Sequence, residues 1–155
     1  MVRLTDLAKD RLTVPADRME RFAKESIVYR VHPELYSPFV GVVRFNDRDR
    51  GNARFSPIRD RAAKIIPTLY AGVRYNCALM EAVFHDVPVG GGPTTIDPAK
   101  LDSFVCSKVE TLRELFLIDL TSMGLRHFGL KNTDLIDSDP NTYPLTRAWA
   151  EALYE

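Results

Sequence analysis

Apolar residues in this chain never run far. They come in short β-branched and aromatic stretches cut by Pro, Gly and charge. Ile27–Val31 (IVYRV), Phe39–Phe45 (FVGVVRF), Ile65–Ala71 (IIPTLYA), Phe104–Val109 (FVCSKV) and Leu115–Leu120 (LFLIDL) each predict a strand. Pro67 fits such a segment only at an edge or an entry point. Helical spacing interleaves with them. Leu4, Leu7, Ala8 and Leu12, then Met19, Phe22 and Ala23, predict two short helices within 1–26, separated by Pro15. Cys77–His85 (CALMEAVFH) predicts a helix capped by Asn76, and its apolar character nearly all round predicts that it is buried. A short helix is expected near Met123–Phe128. Thr146 is expected to open an amphipathic helix carrying Ala148, Trp149, Ala152 and Leu153. Short strands mixed with short helices define an α/β (α+β) class. The 155 residues suffice for a single domain, 1–155, with its own core.

Charge excludes some functions and narrows others. The 21 basic and 21 acidic side chains balance, which argues against a dedicated nucleic-acid-binding module. The balance hides a split: 15 basic against 9 acidic side chains in residues 1–80, and 6 against 12 in residues 81–155. Arg44, Arg48, Arg50, Arg54, Arg59 and Arg61 crowd one segment with only Asp47, Asp49 and Asp60 among them. Such a segment is either a solvated loop or a set of forks for phosphate. No apolar run reaches membrane-spanning length, and the first residues lack the apolar core of a signal peptide. Cys77 and Cys106 make no disulfide framework and are expected as small buried hydrophobes, in a reducing, cytoplasmic setting.

Glu81 is the most informative residue. A carboxylate on a largely apolar helix has to be paired, protonated or functional, because burying it alone is costly. Two readings stay open on the residues alone: an ion pair with one of the arginines, or a working carboxylate held near them. His32, His85 and His127 lie in no metal-ligand spacing, so no metal site is expected. The Gly90–Pro93 run lacks the Lys of a phosphate-binding loop and is expected to be a turn.

The order of these pieces resembles the RES domain family. The matching stretches are Tyr29-Arg30, then Gly51-Asn52-Ala53-Arg54-Phe55-Ser56-Pro57, similar to the family's G-R-W-N-x-x-G segment. Leu69-Tyr70-Ala71 follows, then Cys77–His85, similar to its A-L-x-E-x-x-x-H helix. Ile118-Asp119-Leu120-Thr121 and Thr146-Arg147-Ala148-Trp149-Ala150 are similar to its "DLT" and T-R/Q-x-W-A segments. The likeness runs from about residue 28 onward. Phe55 and Ser56 replace the usual Trp-Asn, Ala53 stands where Gly is common, and Arg59–Lys64 reads as a charged insert. The family's Ser belongs to a later segment, so 27–155 is expected to be a core lacking that C-terminal piece.

The resemblance implies a compact domain related to the ADP-ribosyltransferase fold. It implies an enzyme that consumes NAD⁺ as substrate, with no resident cofactor, by hydrolysis or phosphorolysis of the nicotinamide–ribose bond. It implies the toxin of a toxin–antitoxin pair, forming an oligomer with an Xre-type antitoxin and binding no nucleic acid or membrane itself. The implied site is Arg30, Arg54, Tyr70 and Glu81, with Glu81, Arg54 and Tyr70 catalytic. Glu81 meets the charge developing on the ribose, the arginines hold the pyrophosphate, and Tyr70 stacks on nicotinamide. The alternatives are a truncated, non-catalytic domain that binds antitoxin or nucleotide, and a protein ADP-ribosyltransferase.

Overall fold

The computed structural model describes residues 14–37, 43–84 and 97–154. Their strands are β1 (Met19–Phe22), β2 (Ile27–Pro33), β3 (Ile58–Arg59), β4 (Ile65–Ile66), β5 (Phe104–Glu110) and β6 (Leu115–Ile118). The α-helices are α1 (Tyr75–Ala82), α2 (Ser122–His127), α3 (Asn132–Leu135) and α4 (Tyr143–Tyr154). This is a mixed α+β architecture with small antiparallel sheets, as the sequence pattern predicts. The first expected helix, most of the expected strand 39–45, His85 and the Gly90–Pro93 run lie outside the described residues.

The chain groups into two compact units. One takes the described residues of Met1–Phe22, Phe45–Thr68 and Leu115–Glu155; the other takes those of Ala23–Arg44 and Leu69–Glu114.

The first unit is built on an apolar cluster. Leu125, Leu130, Leu135 and Trp149 are buried, and Phe55, Leu120, Phe128 and Ile136 pack against them. Trp149 is the anchor that α4 contributes. Gly124 permits the packing of α2, since a Cβ there would lie 2.0 Å from the Asp119 carbonyl oxygen. The Thr121 hydroxyl caps α2 by accepting from Gly124 N–H. Met19 and Phe22, expected on a helix, form instead the strand β1, antiparallel to β6 with Met19 opposite Ile118 and Phe22 opposite Leu115. Pairing with a segment about a hundred residues away overrides their helical spacing. The expected strand Ile65–Ala71 is shorter, only Ile65–Ile66, which pairs with Ile58–Arg59. The charged stretch 59–64 is thus a hairpin turn, closed by the Asp60 carboxylate accepting from the N–H groups of Ala62 and Lys64, both at 2.9 Å.

The second unit is a ladder with a helix laid on it. Its β2 and β5 pair antiparallel over seven residues, from Ile27 opposite Glu110 to Pro33 opposite Phe104. Gly72 bonds the other edge of β2, donating to the Tyr29 carbonyl at 2.8 Å and accepting from Tyr29 N–H at 2.7 Å. Helix α1 packs on β2. It starts at Tyr75, before the expected cap Asn76, which lies inside it. The expectation that this helix is buried is wrong: only Ala78 is buried, and Tyr75, Cys77, Met80 and Glu81 are exposed. Its apolar composition is not matched by packing partners among the described residues. Cys106 is exposed as well, so neither cysteine is the small buried hydrophobe expected.

Candidate functional site

In the second unit, three elements bring candidate residues to one strand. Arg30 lies in β2 itself. Tyr70 precedes the bridge of Gly72 to Tyr29, Arg30's neighbour. Glu81 lies on α1, which packs on β2. Gly72 holds this arrangement together. A Cβ there would stand 2.8 Å from Ala78 N, 3.0 Å from Cys77 Cβ and 3.1 Å from the Arg74 carbonyl oxygen, so only Gly lets the start of α1 come this close.

The electrostatics of this group favour an anionic visitor at Arg30. Its side chain is half-buried and donates through Nη1 to the Arg44 carbonyl oxygen, with no carboxylate partner among the described residues. Burial lowers its pKa below the ordinary arginine value. A guanidinium taken partly out of water without a counter-charge is compensated best by an anion that binds through its fork. Glu81, in contrast, is exposed and forms no ion pair among the described residues. Tyr70 is 37 % exposed, leaving part of its ring open to solvent.

Arg54 belongs to the first unit and is placed there by its own contacts. Phe55 packs into the apolar cluster, and Ala53 and Ser56 bond each other's backbone across the turn (N–H to carbonyl, 3.0 Å from Ala53 to Ser56). Ser56 is buried; its hydroxyl accepts from Asn46 Nδ2 at 2.9 Å and lies 2.7 Å from Thr68 Oγ1. Helix α4 grips the turn from one side. Thr146, fully buried, shares its hydroxyl proton between the Arg54 and Tyr143 carbonyls. Arg147 Nη1 donates to Asn52 Oδ1 at 2.9 Å. The Arg54 guanidinium lies over the Tyr143 ring, 5.6 Å from its centroid. Its Nε–H is buried and has no hydrogen-bond partner among the described residues. A buried donor left unpaired costs about 1–3 kcal/mol, so this atom is a place where an acceptor gains.

The sequence pattern puts Thr146 at the opening of the last helix. It lies instead inside α4, which begins three residues earlier, and its hydroxyl bonds the turn that carries Arg54. Tyr143, Asn46 and Gly72 are positioning residues that the sequence pattern does not single out, and Ser56 enters it only as a departure from the family's motif. The T-R-x-W-A segment does carry a signal, since Thr146, Arg147 and Trp149 all act on that turn or on the core beneath its helix. The "DLT" segment serves the structure, with Asp119 Oδ1 accepting from Thr121 N–H at 2.8 Å ahead of α2. Its hydrogen bonds to Thr121 hold the Asp119 carboxyl below the usual carboxylate range.

Of the six crowded arginines, Arg59 is committed to structure, pairing with Asp49 at 2.5 Å and donating to the Ala63 carbonyl at 2.7 Å. Its backbone N–H donates to Glu151 of α4 at 2.8 Å. Among the described residues no three His, Cys, Asp or Glu side chains are grouped to hold a metal ion, and no helix is long and apolar enough to cross a membrane.

A family model, the RES domain, matches residues 27–155. No curated protein and no solved structure matches the chain. The match takes in the candidate residues Arg30, Arg54, Tyr70 and Glu81, and Trp149 in α4. The chain therefore belongs to the RES domain family, whose proteins are associated with NAD-acting enzymes and with toxin–antitoxin pairs.

Proposed function

We propose that this chain is the toxin of a toxin–antitoxin pair and that it cleaves the nicotinamide–ribose bond of NAD⁺ by hydrolysis or phosphorolysis. The observation that carries this reading is Glu81: an exposed carboxylate, unpaired among the described residues, on a helix packed against the strand of Arg30. Breaking the nicotinamide bond builds positive charge on the ribose carbon. A carboxylate with no cationic partner among the described residues is open to such a transition state. Nicotinamide departs as a neutral ring and needs no strong general acid.

The other roles follow from the chemistry of each side chain. Arg30 offers the pyrophosphate a half-buried fork that has no counter-charge among the described residues. Arg54 is assigned the same duty. Tyr70 offers its ring to the nicotinamide. NAD⁺ is the substrate, with no resident cofactor, and the setting is the cytoplasm. The partner is an Xre-type antitoxin that binds DNA and blocks the pocket.

Purified protein incubated with NAD⁺, with and without phosphate, should release nicotinamide. Glu81→Ala should lower release by orders of magnitude and Arg54→Ala should lower it markedly. Unchanged turnover in Glu81→Ala removes the mechanism. No release from the unaltered chain favours a binding module, and label transferred from NAD⁺ onto a protein favours a protein-modifying transferase.

A further inference from the structure

One polar cluster in the second unit is not used by the proposed reaction. His32, 3 % exposed, places Nδ1 3.0 Å from the Pro33 carbonyl oxygen and Nε2 2.8 Å from Ser107 Oγ. A carbonyl only accepts, so Nδ1 carries the proton. The tautomer with its one proton on Nδ1 presents a lone pair at Nε2. Its Nε2 is therefore an acceptor, and the Ser107 hydroxyl donates to it. The proton of Ser107 is thereby committed, and only its oxygen lone pairs remain for another partner.

Ser107 stands directly opposite Arg30 in the antiparallel ladder. Cross-strand partners of this kind share a face, with Cβ atoms about 4.5–5.5 Å apart. The ladder thus sets a residue with only donors beside a hydroxyl with only acceptor capacity left. A sugar phosphate has the complementary chemistry: anionic oxygens for the guanidinium and hydroxyl donors a short distance away.

We propose that Arg30 and Ser107 form a ribose-phosphate subsite in which Ser107, oriented by His32, accepts a hydrogen bond from a ribose hydroxyl. Ser107 contacts the ligand; His32 is a positioning residue that acts through it. The identification of the sugar as ribose rests on the NAD⁺ reading, of which this subsite would hold one ribose and its phosphate.

The test titrates the full chain with ribose 5-phosphate and with its 2-deoxy and 3-deoxy analogues, followed by NMR. At least one analogue should bind about five- to tenfold more weakly than the parent sugar, the worth of one hydrogen bond. Ser107→Ala should level that preference and Ser107→Thr should keep it. His32→Phe, which frees the Ser107 proton, should reduce the preference even where affinity for the phosphate persists. Should the His32 variant fail to fold, the two Ser107 variants decide alone. Equal binding of all three sugars, or an unchanged preference in Ser107→Ala, overturns the subsite. So does a chain that releases nicotinamide yet binds no ribose 5-phosphate, and that result leaves the NAD⁺ reading standing. A chain that shows the preference but releases no nicotinamide removes the NAD⁺ reading and leaves the subsite.

Discussion

The two units solve the same problem, fixing an arginine, by different means. Around Arg54, side chains carry the structure: Phe55 and Trp149 share one apolar cluster, and Thr146 and Arg147 bond the turn on which Arg54 sits. Around Arg30, backbone carries it: the seven-residue β2–β5 ladder on one edge and the Gly72–Tyr29 pair on the other. Among the described residues of that second unit, the one buried apolar side chain is Ala78, while Leu35, Val73, Met80 and Leu112 are each more than half exposed. Apolar burial thus stabilises the first unit far more than the second. Two substitutions make the contrast measurable. Trp149→Ala should cost about 3–5 kcal/mol, because it empties the centre of a buried cluster. Met80→Ala, on a helix of equally apolar sequence, should cost no more than about 0.5 kcal/mol. Chemical denaturation of both variants tests this, and similar losses would show that the contrast in burial does not govern stability.

A smaller effect probes how the second unit holds itself together with so little apolar burial among its described residues. Gly72 is where the bridge to Tyr29, the start of α1 and the approach to Tyr70 meet. The atoms that a Cβ would strike include Ala78 N and the Arg74 carbonyl oxygen, which are backbone and cannot rotate away. Gly72→Ala should therefore cost about 1–3 kcal/mol, the usual range for overpacking. It should also lower nicotinamide release, since the helix that carries Glu81 has to shift. Full stability and full activity in Gly72→Ala would mean that α1 does not depend on this close approach.

How far these arrangements could be read from the sequence differs between the units for a physical reason. The β-branched runs at Ile27, Phe104 and Leu115 mark strands because alternation and branching are local properties, and all three form. Met19–Phe22 misleads because its strand exists only through pairing with Leu115–Ile118, which no local pattern contains. The α1 helix misleads in the opposite direction. Its apolar composition signals helix correctly, but burial depends on what packs against it, and among the described residues only Ala78 is covered. The site shows the same division. Arg30, Arg54, Tyr70 and Glu81 stand out through their motifs. The residues that position them, Gly72, Ser56 and Thr146, act through contacts that join segments distant in sequence. The Ser107–His32 bond, spanning 75 positions, is of this second kind and no spacing announces it.

The smallest effect concerns Asp119, which prepares the start of α2 within the first unit. Its hydrogen bonds to Thr121 lower its pKa in the folded chain relative to an ordinary aspartate of about 3.9. In the range between the two values the unfolded chain binds more protons, so stability rises with pH there. The contribution is fully present above the unfolded value and fades as pH falls through the folded one. Asp119→Asn removes this titration, and an amide oxygen accepts more weakly from Thr121 N–H than a carboxylate does. Denaturation midpoints measured from neutral to strongly acid pH should show the variant modestly less stable at neutrality, with the two curves converging on acidification. A gap that stays constant with pH would mean that the side chain's shape, and not its charge, sets the start of α2.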